Sequence, residues 1–397
     1  MGGLPPPSEA RCQSSSAIAL LKQGADVIAY VPEGSWYLQH TGIWRMHLEG
    51  PATLPDAAIP TPQVVNSCAS NSARGQTVCI ANDTDIYLVA DAAIQSTLTS
   101  AGSGTARFSL GNCTDCNLAF DLAKDTAIIG LVAAAGPAFQ PLDLSSATPE
   151  LGAPIISPAG RLGETLGIDS KRKLLLSPSE GDNFEIADLS QLADPAFFED
   201  QAGVLDINEL DGVAEDCATG VAVVSDELTG KLLLTDLTQA TFTPGTPNGS
   251  WSAPTQLQDL PDFSAAIARS GGVAIAEGSH FGAVAGEIAG NALGAFQLPA
   301  SSGGVPALAD WVVCGIPDDP DGTPWAMGLD PHPLSAYVSP STGHAMAVVA
   351  NSPPTFLALI DLTDMINAAD LPRAPGTHTC SAGILPPSLV SFISLPA

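Results

Sequence analysis

Five ionisable residues recur at a comparable place in the sequence, each about five residues before the end of a short β-rich run. They are Asp115, Glu164, Asp211, Arg269 and His332. If the runs lie side by side around one axis, these side chains converge on a concave site that can bind a ligand or a cation or polarise a substrate. In an enzyme, His332 is then the expected catalytic residue, because an imidazole exchanges protons near neutral pH.

An alternative register exists for the third of these runs, which carries Asp211. It replaces Asp211 by Glu215 and Asp216. The start of a strand beside a loop is also often polar simply because it meets water. The ring of five residues is therefore a hypothesis about a channel mouth, which depends on its members lying within reach of one ligand.

Two loops carry oxygen ligands at a spacing that suits a hard cation. The candidate ligands in "DINELDG" and "DDPDG" are Asp206, Asn208, Asp211, Asp318, Asp319 and Asp321. Acidic residues spaced before a glycine are typical of calcium loops, although "DINELDG" is one residue too long for an EF-hand. Asp-Gly clusters also form ordinary turns. Calcium is thus the cofactor that the sequence suggests.

Other cofactor and catalytic motifs are absent from the sequence. It contains no GxSxG, P-loop or HExxH motif, which removes the serine hydrolase, nucleotide and zincin interpretations. The single CxxC, Cys113 and Cys116, is followed by Asn117 where c-type haem attachment needs His. Five tryptophans are too few for the Trp-rich proteins that hold a quinone. No nucleotide, haem or quinone cofactor is expected.

The charge of the chain limits its partners. Thirteen basic residues face 42 acidic ones, so the formal net charge is −29. Such a surface repels phosphate backbones, which argues against nucleic acid, while cations, basic proteins and neutral ligands remain. The acidity also serves solubility. No apolar run is long enough to span a bilayer, and no signal peptide is visible.

The cysteines indicate an oxidising compartment. Their number, eight, is even, and their spacing does not match a zinc site. Disulfides, with a secreted, periplasmic or cell-surface location, are expected. Cys68 and Cys79 are predicted to face each other across a hairpin, and the other pairings stay open.

A repeated ending shows how the chain is divided. Apolar runs close on Asp-Leu-Ser or Asp-Leu-Thr at Asp143, Asp188, Asp236 and Asp361. The equivalent positions elsewhere are His47, Asp91 and Gln297, which makes seven units. Each unit holds three or four short strands separated by Gly, Asp and Ser turns. The sequence therefore predicts a seven-bladed, all-β propeller of antiparallel blades, in which each Asp ends a third strand and caps the following turn.

The domain boundaries follow from the units. Residues 1–17 form an N-terminal extension and residues 18–397 a single propeller domain. The strand at 388–396 is expected to pair into the first blade and close the ring. One helix is expected at 362–370, "LTDMINAAD". A parallel doubly wound sheet would need helices between the strands, which the sequence does not contain.

The stretches "GIDSKRKLLLSPSEGDNFEIADL" and "STGHAMAVVANSPPTFLALIDL" carry a family resemblance. Their order of turn, strand, Asn or Glu, strand and Ile-Asp-Leu or Ala-Asp-Leu resembles the lactonase-like and YVTN-repeat propellers of bacterial exported proteins. The resemblance covers residues 115 to 363 and implies the fold. Its members include both enzymes and binding modules, so it does not choose a function.

Two functions remain. The favoured one is an exported binding or scaffold protein that recognises a protein or surface polymer through its loops and an acidic channel mouth. The alternative is a metal-dependent, lactonase-like hydrolase or lyase that acts on a small molecule at that mouth. The enzyme needs the five polar residues to converge on one substrate, whereas the binding protein does not.

Overall fold

Seven antiparallel sheets stand in a ring around one axis, so the predicted seven-bladed β-propeller is confirmed. The computed structural model describes residues 12–14, 16–33, 41–49, 58–81, 84–102, 117–146, 148–157, 165–179, 183–191, 197–199, 210–226, 229–243, 249–258, 270–286, 291–301, 303–325, 334–351, 355–367, 371 and 378–395.

The first strand, β1 (Cys12–Ser14), lies ahead of the blades, which are numbered here in chain order. Blade 1 consists of β2 (Ala19–Gln23), β3 (Asp26–Pro32) and β4 (Ile43–His47). Blade 2 consists of β5 (Val65–Asn71), β6 (Gln76–Ala81), β7 (Asp85–Ala90) and β8 (Ala93–Thr99). Blade 3 consists of β9 (Asn117–Asp121), β10 (Thr126–Ala133), β11 (Gly136–Asp143), β12 (Glu150–Leu151) and β13 (Ile155–Ile156).

The other four blades follow the same order from the axis outward. Blade 4 consists of β14 (Gly167–Asp169), β15 (Leu174–Ser179), β16 (Asn183–Asp188) and β17 (Phe197–Glu199). Blade 5 consists of β18 (Leu210–Asp216), β19 (Val221–Asp226), β20 (Lys231–Asp236) and β23 (Thr255–Gln258), and its hairpin β21 (Thr241–Thr243) and β22 (Gly249–Ser252) pairs with β17. Blade 6 consists of β24 (Ser270–Ala276), β25 (Phe281–Gly286), β26 (Ala292–Gln297), β27 (Asp310–Gly315) and β31 (Thr379–Ile384). Blade 7 consists of β28 (Leu334–Val338), β29 (Ala345–Ala350), β30 (Phe356–Asp361) and β32 (Val390–Ser394).

The residue pattern of a strand reflects its distance from the axis. All six residues of β19 are buried, because its blade has a neighbour on both faces. An uninterrupted apolar run such as "VAVV" suits this position. The outermost strand of blade 2, β8, instead alternates between exposed and half-buried residues, as a strand with one solvated face does.

Side-chain packing between blades closes the ring. In the described part of the chain, buried apolar residues form seven clusters, one between each pair of neighbouring blades. The closing cluster joins blade 1, through Met46, to Leu357 and Ile393 of blade 7. The strand expected to pair into the first blade is β32, and it pairs instead with β30 of blade 7. No backbone pairing is needed at this seam, because the apolar faces already cover each other.

The predicted helix begins at Leu362 and ends at Asn367, and we name it α1. Leu362, Met365 and Ile366 are its buried residues. No helix in the described ranges combines the length and the apolar character needed to cross a bilayer.

Four of the five recurring Asp residues end third strands and cap the turns that follow, as predicted, whereas Asp91 lies in the turn after β7 with a φ of 52°. A carboxylate oxygen accepts a backbone N–H two or three residues further on. The N–H donors are Ser145 for Asp143 (2.7 Å), Ser190 for Asp188 (2.7 Å), Thr238 for Asp236 (2.9 Å) and Asp364 for Asp361 (2.9 Å). Short polar side chains are favoured at these positions because they satisfy turn amides that no strand can pair.

Three disulfides occur in the described part of the chain, one within a hairpin and two between segments far apart in sequence. Cys68 and Cys79 face each other across the β5–β6 hairpin, so that prediction is confirmed. Cys12 is joined to Cys217 and Cys314 to Cys380. None of these six cysteines is a free thiol. Cys113 and Cys116 lie outside the described residues.

Candidate functional site

The two faces of the propeller carry different segments. On the turn face, the chain passes from the first to the second strand of each blade. The turn face is formed by residues 24–25, 72–75, 122–125, 170–173, 217–220, 277–280 and 339–344. On the opposite loop face, the first strands begin and the chain enters each new blade.

Asp211 is the member of the predicted ring that the structure describes, and it lies on the loop face. Asp211 is the second residue of β18 and only 2% exposed, and it precedes the end of that strand, Asp216, by five residues. Its backbone oxygen accepts a hydrogen bond from Thr165 Oγ1 of blade 4 at 2.9 Å. The other four predicted members lie outside the described residues: Asp115, Glu164, Arg269 and His332. Their convergence therefore stays a prediction.

The "DDPDG" loop is described, and it forms a hydrogen-bonded turn. Asp319 is buried, and its Oδ1 accepts the N–H groups of Asp321 and Thr323, both at 2.9 Å. The Asp318 and Asp321 side chains are exposed. Asp206 and Asn208 of "DINELDG" lie outside the described residues. The proposed calcium ligands are thus not assembled by the described contacts.

The turn face shows a second recurring position that the sequence reasoning missed. The first strand of each of blades 2 to 5 ends in Asn or Asp, and this side chain accepts a backbone N–H from its own turn. These residues are Asn71, Asp121, Asp169 and Asp216, at 3.1, 3.2, 2.8 and 3.0 Å. The signal was present as an Asn or Asp at the end of each first strand, but the residues that follow differ from blade to blade.

Charged and polar side chains link these turns to the next blade. Arg74 donates to Asp125 at 2.7 Å across blades 2 and 3. His280 of blade 6 contacts Asp216 of blade 5, with Nδ1 and Oδ2 separated by 2.5 Å. His280, which the sequence places at this end of the blades, is therefore tied to the end of a neighbouring first strand.

The N-terminal segment crosses the central channel. β1 pairs antiparallel with the inner edge of β14, with Cys12 opposite Asp169, and the Cys12–Cys217 disulfide fixes it to the turn of blade 5. The Gln13 amide donates to Ser70 O at 2.8 Å and accepts from Phe120 N at 2.7 Å. This part of the predicted extension thus pairs with the inner edge of blade 4 and hydrogen-bonds one backbone group in each of blades 2 and 3.

Further along, Ser16 reaches the other side of the channel. Its hydroxyl donates to Leu334 O of blade 7 at 2.6 Å, and its backbone oxygen accepts from Ser67 Oγ of blade 2 at 3.1 Å. One short segment therefore contacts blades on both sides of the axis.

A cavity of about 940 Å³ lies beside this segment and opens on the turn face. One wall is the segment itself, through Cys12, Gln13 and Ser16, and the other is formed by the first strands of blades 1, 2, 6 and 7. Exposed residues at its rim include Lys22, Ala73 and Glu277. A cavity of this size accommodates a small ligand or a few residues of a polymer.

Glu215 lines this cavity as a buried carboxyl group. Its side chain is 2% exposed, its Oε1 lies 3.3 Å from Arg172 Nη1, and its Oε2 has no hydrogen-bond partner among the described residues. Burial, and next the neighbouring Asp169 carboxylate, raise the pKa of Glu215 well above its ordinary value. The sequence analysis considered Glu215 only as an alternative to Asp211. The burial of a charged side chain depends on tertiary packing and has no local sequence pattern.

Arg172 makes its shorter side-chain contact with Asp169. Its Nη1 donates to Asp169 Oδ2 at 2.8 Å, and its backbone N–H bonds Oδ1 of the same side chain at 2.8 Å. Glu215 receives the longer contact of the two. The guanidinium therefore compensates Asp169 better than it compensates Glu215.

Two groups of three potential metal ligands occur in the described ranges, and neither includes the residues predicted to bind calcium. Cys12, Asp169 and Cys217 come together, but both sulfurs are in a disulfide and do not offer a thiolate. His344, Asp361 and Asp364 meet at the start of α1, half exposed, where Asp361 caps the helix. Hydrogen bonds account for the close approach of these three side chains without a bound metal ion.

The comparisons with known proteins identify the fold alone. The sequence matches no known family and no curated protein, so the resemblance to lactonase-like and YVTN-repeat propellers is not confirmed. A functionally unknown protein from Desulfotomaculum acetoxidans DSM 771 superposes with a TM-score of 0.55 at 9% identity, over 96% of this chain and 100% of that one.

Two further solved structures are similar. A chain of the mitotic checkpoint complex gives a TM-score of 0.54 at 11% identity, covering 88% of this chain and 92% of its own. The β-propeller domain of Myceliophteria thermophila Cps50 (Swd1) gives 0.51 at 9% identity, covering 87% and 95%. At such identities the likeness establishes the propeller and carries no function.

Proposed function

We propose that this chain is an exported binding or scaffold propeller that takes a segment of a protein or surface polymer into the cavity on its turn face. The cavity itself carries the proposal. It is large enough for such a segment, and the inner edges of the first strands of blades 1, 2, 6 and 7 line it. Such edges bind an extended chain through backbone hydrogen bonds, as β14 binds β1 on the other side of the channel.

The disulfides support the proposed location outside the cell. Three disulfides occur in the described chain, and disulfides persist in oxidising compartments. An exported protein with a rigid ring and a lined cavity suits recognition of extracellular polymers or proteins.

Filling the cavity tests the function. Ser335 lines it from the first strand of blade 7, whereas Ser391 is exposed on the outermost strand of the same blade. Wild type, Ser335→Trp and Ser391→Trp are used to select ligands from a random linear-peptide phage library and a glycan array. Wild type and Ser391→Trp should select the same ligands, and Ser335→Trp should lose them.

Retention of all ligands by Ser335→Trp, or no selection by wild type, would contradict the proposal. A lactone-hydrolysing activity that is lost in His332→Ala would instead favour the alternative, a metal-dependent lactonase-like hydrolase or lyase.

We propose in addition that the loop face binds calcium through Asp211. The support is the Asp211 carboxylate, which is 2% exposed near the start of a first strand. A bound ion stabilises the fold by about 2.7 kcal/mol at a hundredfold excess over Kd. Millimolar calcium should raise the Tm of wild type and of Glu150→Gln, which alters an exposed residue of β12, but not of Asp211→Asn. An equal response of all three proteins would refute this site.

A further inference from the structure

We propose that the turn-face cavity selects ligands that carry an organic cation, an alkyl guanidinium or ammonium group, and that Glu215 is its anchor. The inference rests on the proposed binding function and specifies the chemistry of the same cavity. It begins from a buried carboxyl group on the cavity wall whose Oε2 has no hydrogen-bond partner among the described residues. A buried polar atom without a partner costs stability, and a ligand that donates to it recovers that cost.

The surrounding charges favour a cation over an anion or a neutral donor. Among the described residues at the cavity and in direct contact with Glu215, the fixed cations are Lys22, Arg74 and Arg172, and the acids are Asp125, Asp169, Glu215 and Glu277. Ionised Glu215 thus leaves more negative than positive charges around the cavity. Asp216 also faces Glu215 and adds to this excess. A cationic group on the ligand reduces the excess, whereas an anionic group increases it.

The other charged residues at the cavity are already paired or lie at its rim, so Glu215 is the group to which a ligand cation would bind. Arg74 is neutralised by Asp125 at 2.7 Å, and Arg172 bonds Asp169 at 2.8 Å. Lys22 and Glu277, of opposite sign, are both exposed at the rim. Glu215 is the buried acid with an open oxygen, so a guanidinium or ammonium inserted beside it forms a charge-assisted hydrogen bond away from water.

Matched probes test the inference directly. Nα-acetyl-arginine methylamide and its citrulline counterpart have the same shape and differ in charge. Calorimetry on the oxidised, full-length protein should show the arginine probe binding at least about tenfold more tightly than the citrulline probe. Glu215→Gln should abolish that preference, and Glu150→Gln, which alters an exposed residue of β12, should retain it.

The release of a proton on binding tests the inference with the wild-type protein alone. Glu215 holds a proton to a higher pH than an ordinary glutamate because of its burial and Asp169. A bound cation favours its charged form, so binding should release a proton, and the affinity of the arginine probe should rise over a pH series from about 5 to about 9. The binding enthalpy should then depend on the ionisation enthalpy of the buffer. This measurement decides the matter even if Glu215→Gln fails to fold.

The outcomes separate the two proposals. Equal binding of the arginine and citrulline probes, or a buffer-independent enthalpy, would overturn the cation inference. If ligands selected by wild type are still lost in Ser335→Trp, the binding function stands without it. If Ser335→Trp keeps those ligands while the arginine probe requires Glu215, the cavity binds small cations and the proposed recognition of a polymer or protein fails.

Discussion

At the scale of single residues, the propeller depends on short acidic side chains that end strands. Asp236 is 1% exposed and accepts hydrogen bonds from Thr238 N at 2.9 Å, Thr238 Oγ1 at 2.5 Å and Gln239 Nε2 at 2.6 Å. Asp143 occupies the equivalent place in blade 3 but is exposed, and it bonds the N–H of Ser145. The same capping role is therefore carried out in two different environments.

Asp236→Ala should lower the free energy of unfolding by about 2 kcal/mol, because it removes a buried carboxylate that accepts three hydrogen bonds from the turn it caps. Asp143→Ala, where water replaces the lost acceptor, should cost less. Chemical denaturation of both variants measures the difference. Equal losses would show that burial does not set the value of the cap.

His344 makes stability depend on pH. The hydrogen bond that His344 Nδ1 donates to Asp361 raises the pKa of His344 above its ordinary value of 6.5. The charged imidazole therefore stabilises the fold fully below about pH 6.5, and this contribution disappears as the pH rises through the higher folded-state pKa. The Tm difference between wild type and His344→Asn should shrink between about pH 6 and about pH 8. A difference independent of pH would contradict this assignment.

At the scale of elements, β1 is the least expected part of the fold. It has three residues, and it is held by backbone pairing with β14 and by the Cys12–Cys217 disulfide. This disulfide closes a loop of 205 residues, whereas Cys68–Cys79 closes one of 11. In the chain-entropy account, the longer loop restricts the unfolded chain more strongly.

Replacing both members of a pair by Ala compares the two disulfides. Loss of Cys12–Cys217 should cost about 5 kcal/mol, and loss of Cys68–Cys79 about 3 kcal/mol. Denaturant titration of the two double variants gives the values. Hydrogen exchange should also accelerate at Gly167 to Asp169 in the first variant alone, because β1 leaves that edge.

The elements also show why the sequence predicts some features and not others. Asp143 and its equivalents were recognised because the strand, the Asp and the capped turn are adjacent in the chain. The Cys68–Cys79 pair follows from a hairpin for the same reason. The pairing of Cys12 with Asp169 joins residues far apart in sequence. The three residues of β1 are too few to show a strand pattern, so this pairing could not be predicted. Glu215 owes its properties to the packing of blades 4 and 5, which no single segment encodes.

At the scale of the whole molecule, seven side-chain cores hold seven blades, and the closing seam is of the same kind as the other six. The count of blades was predictable because each unit repeats the same strand and turn order. The closure was not, because the pairing of β32 with β30 rather than with blade 1 depends on where the last strand meets an open edge. Arg45 and His47 thus lie on the outermost strand of blade 1, β4.

The Cys12–Cys217 disulfide also determines how the molecule carries a mechanical load. A force applied at the two ends of the chain passes from Cys12 directly to Cys217, so the backbone of blades 1 to 4 carries no tension while the bond is intact. Single-molecule pulling should therefore extend the oxidised protein only before Cys12 and after Cys217, and the Cys314–Cys380 disulfide should likewise keep the residues between its cysteines from extending. Reduction should release roughly 700 Å more from the 205-residue loop. In the oxidised protein, more than half of the propeller would stay folded under a pull that unravels the remainder.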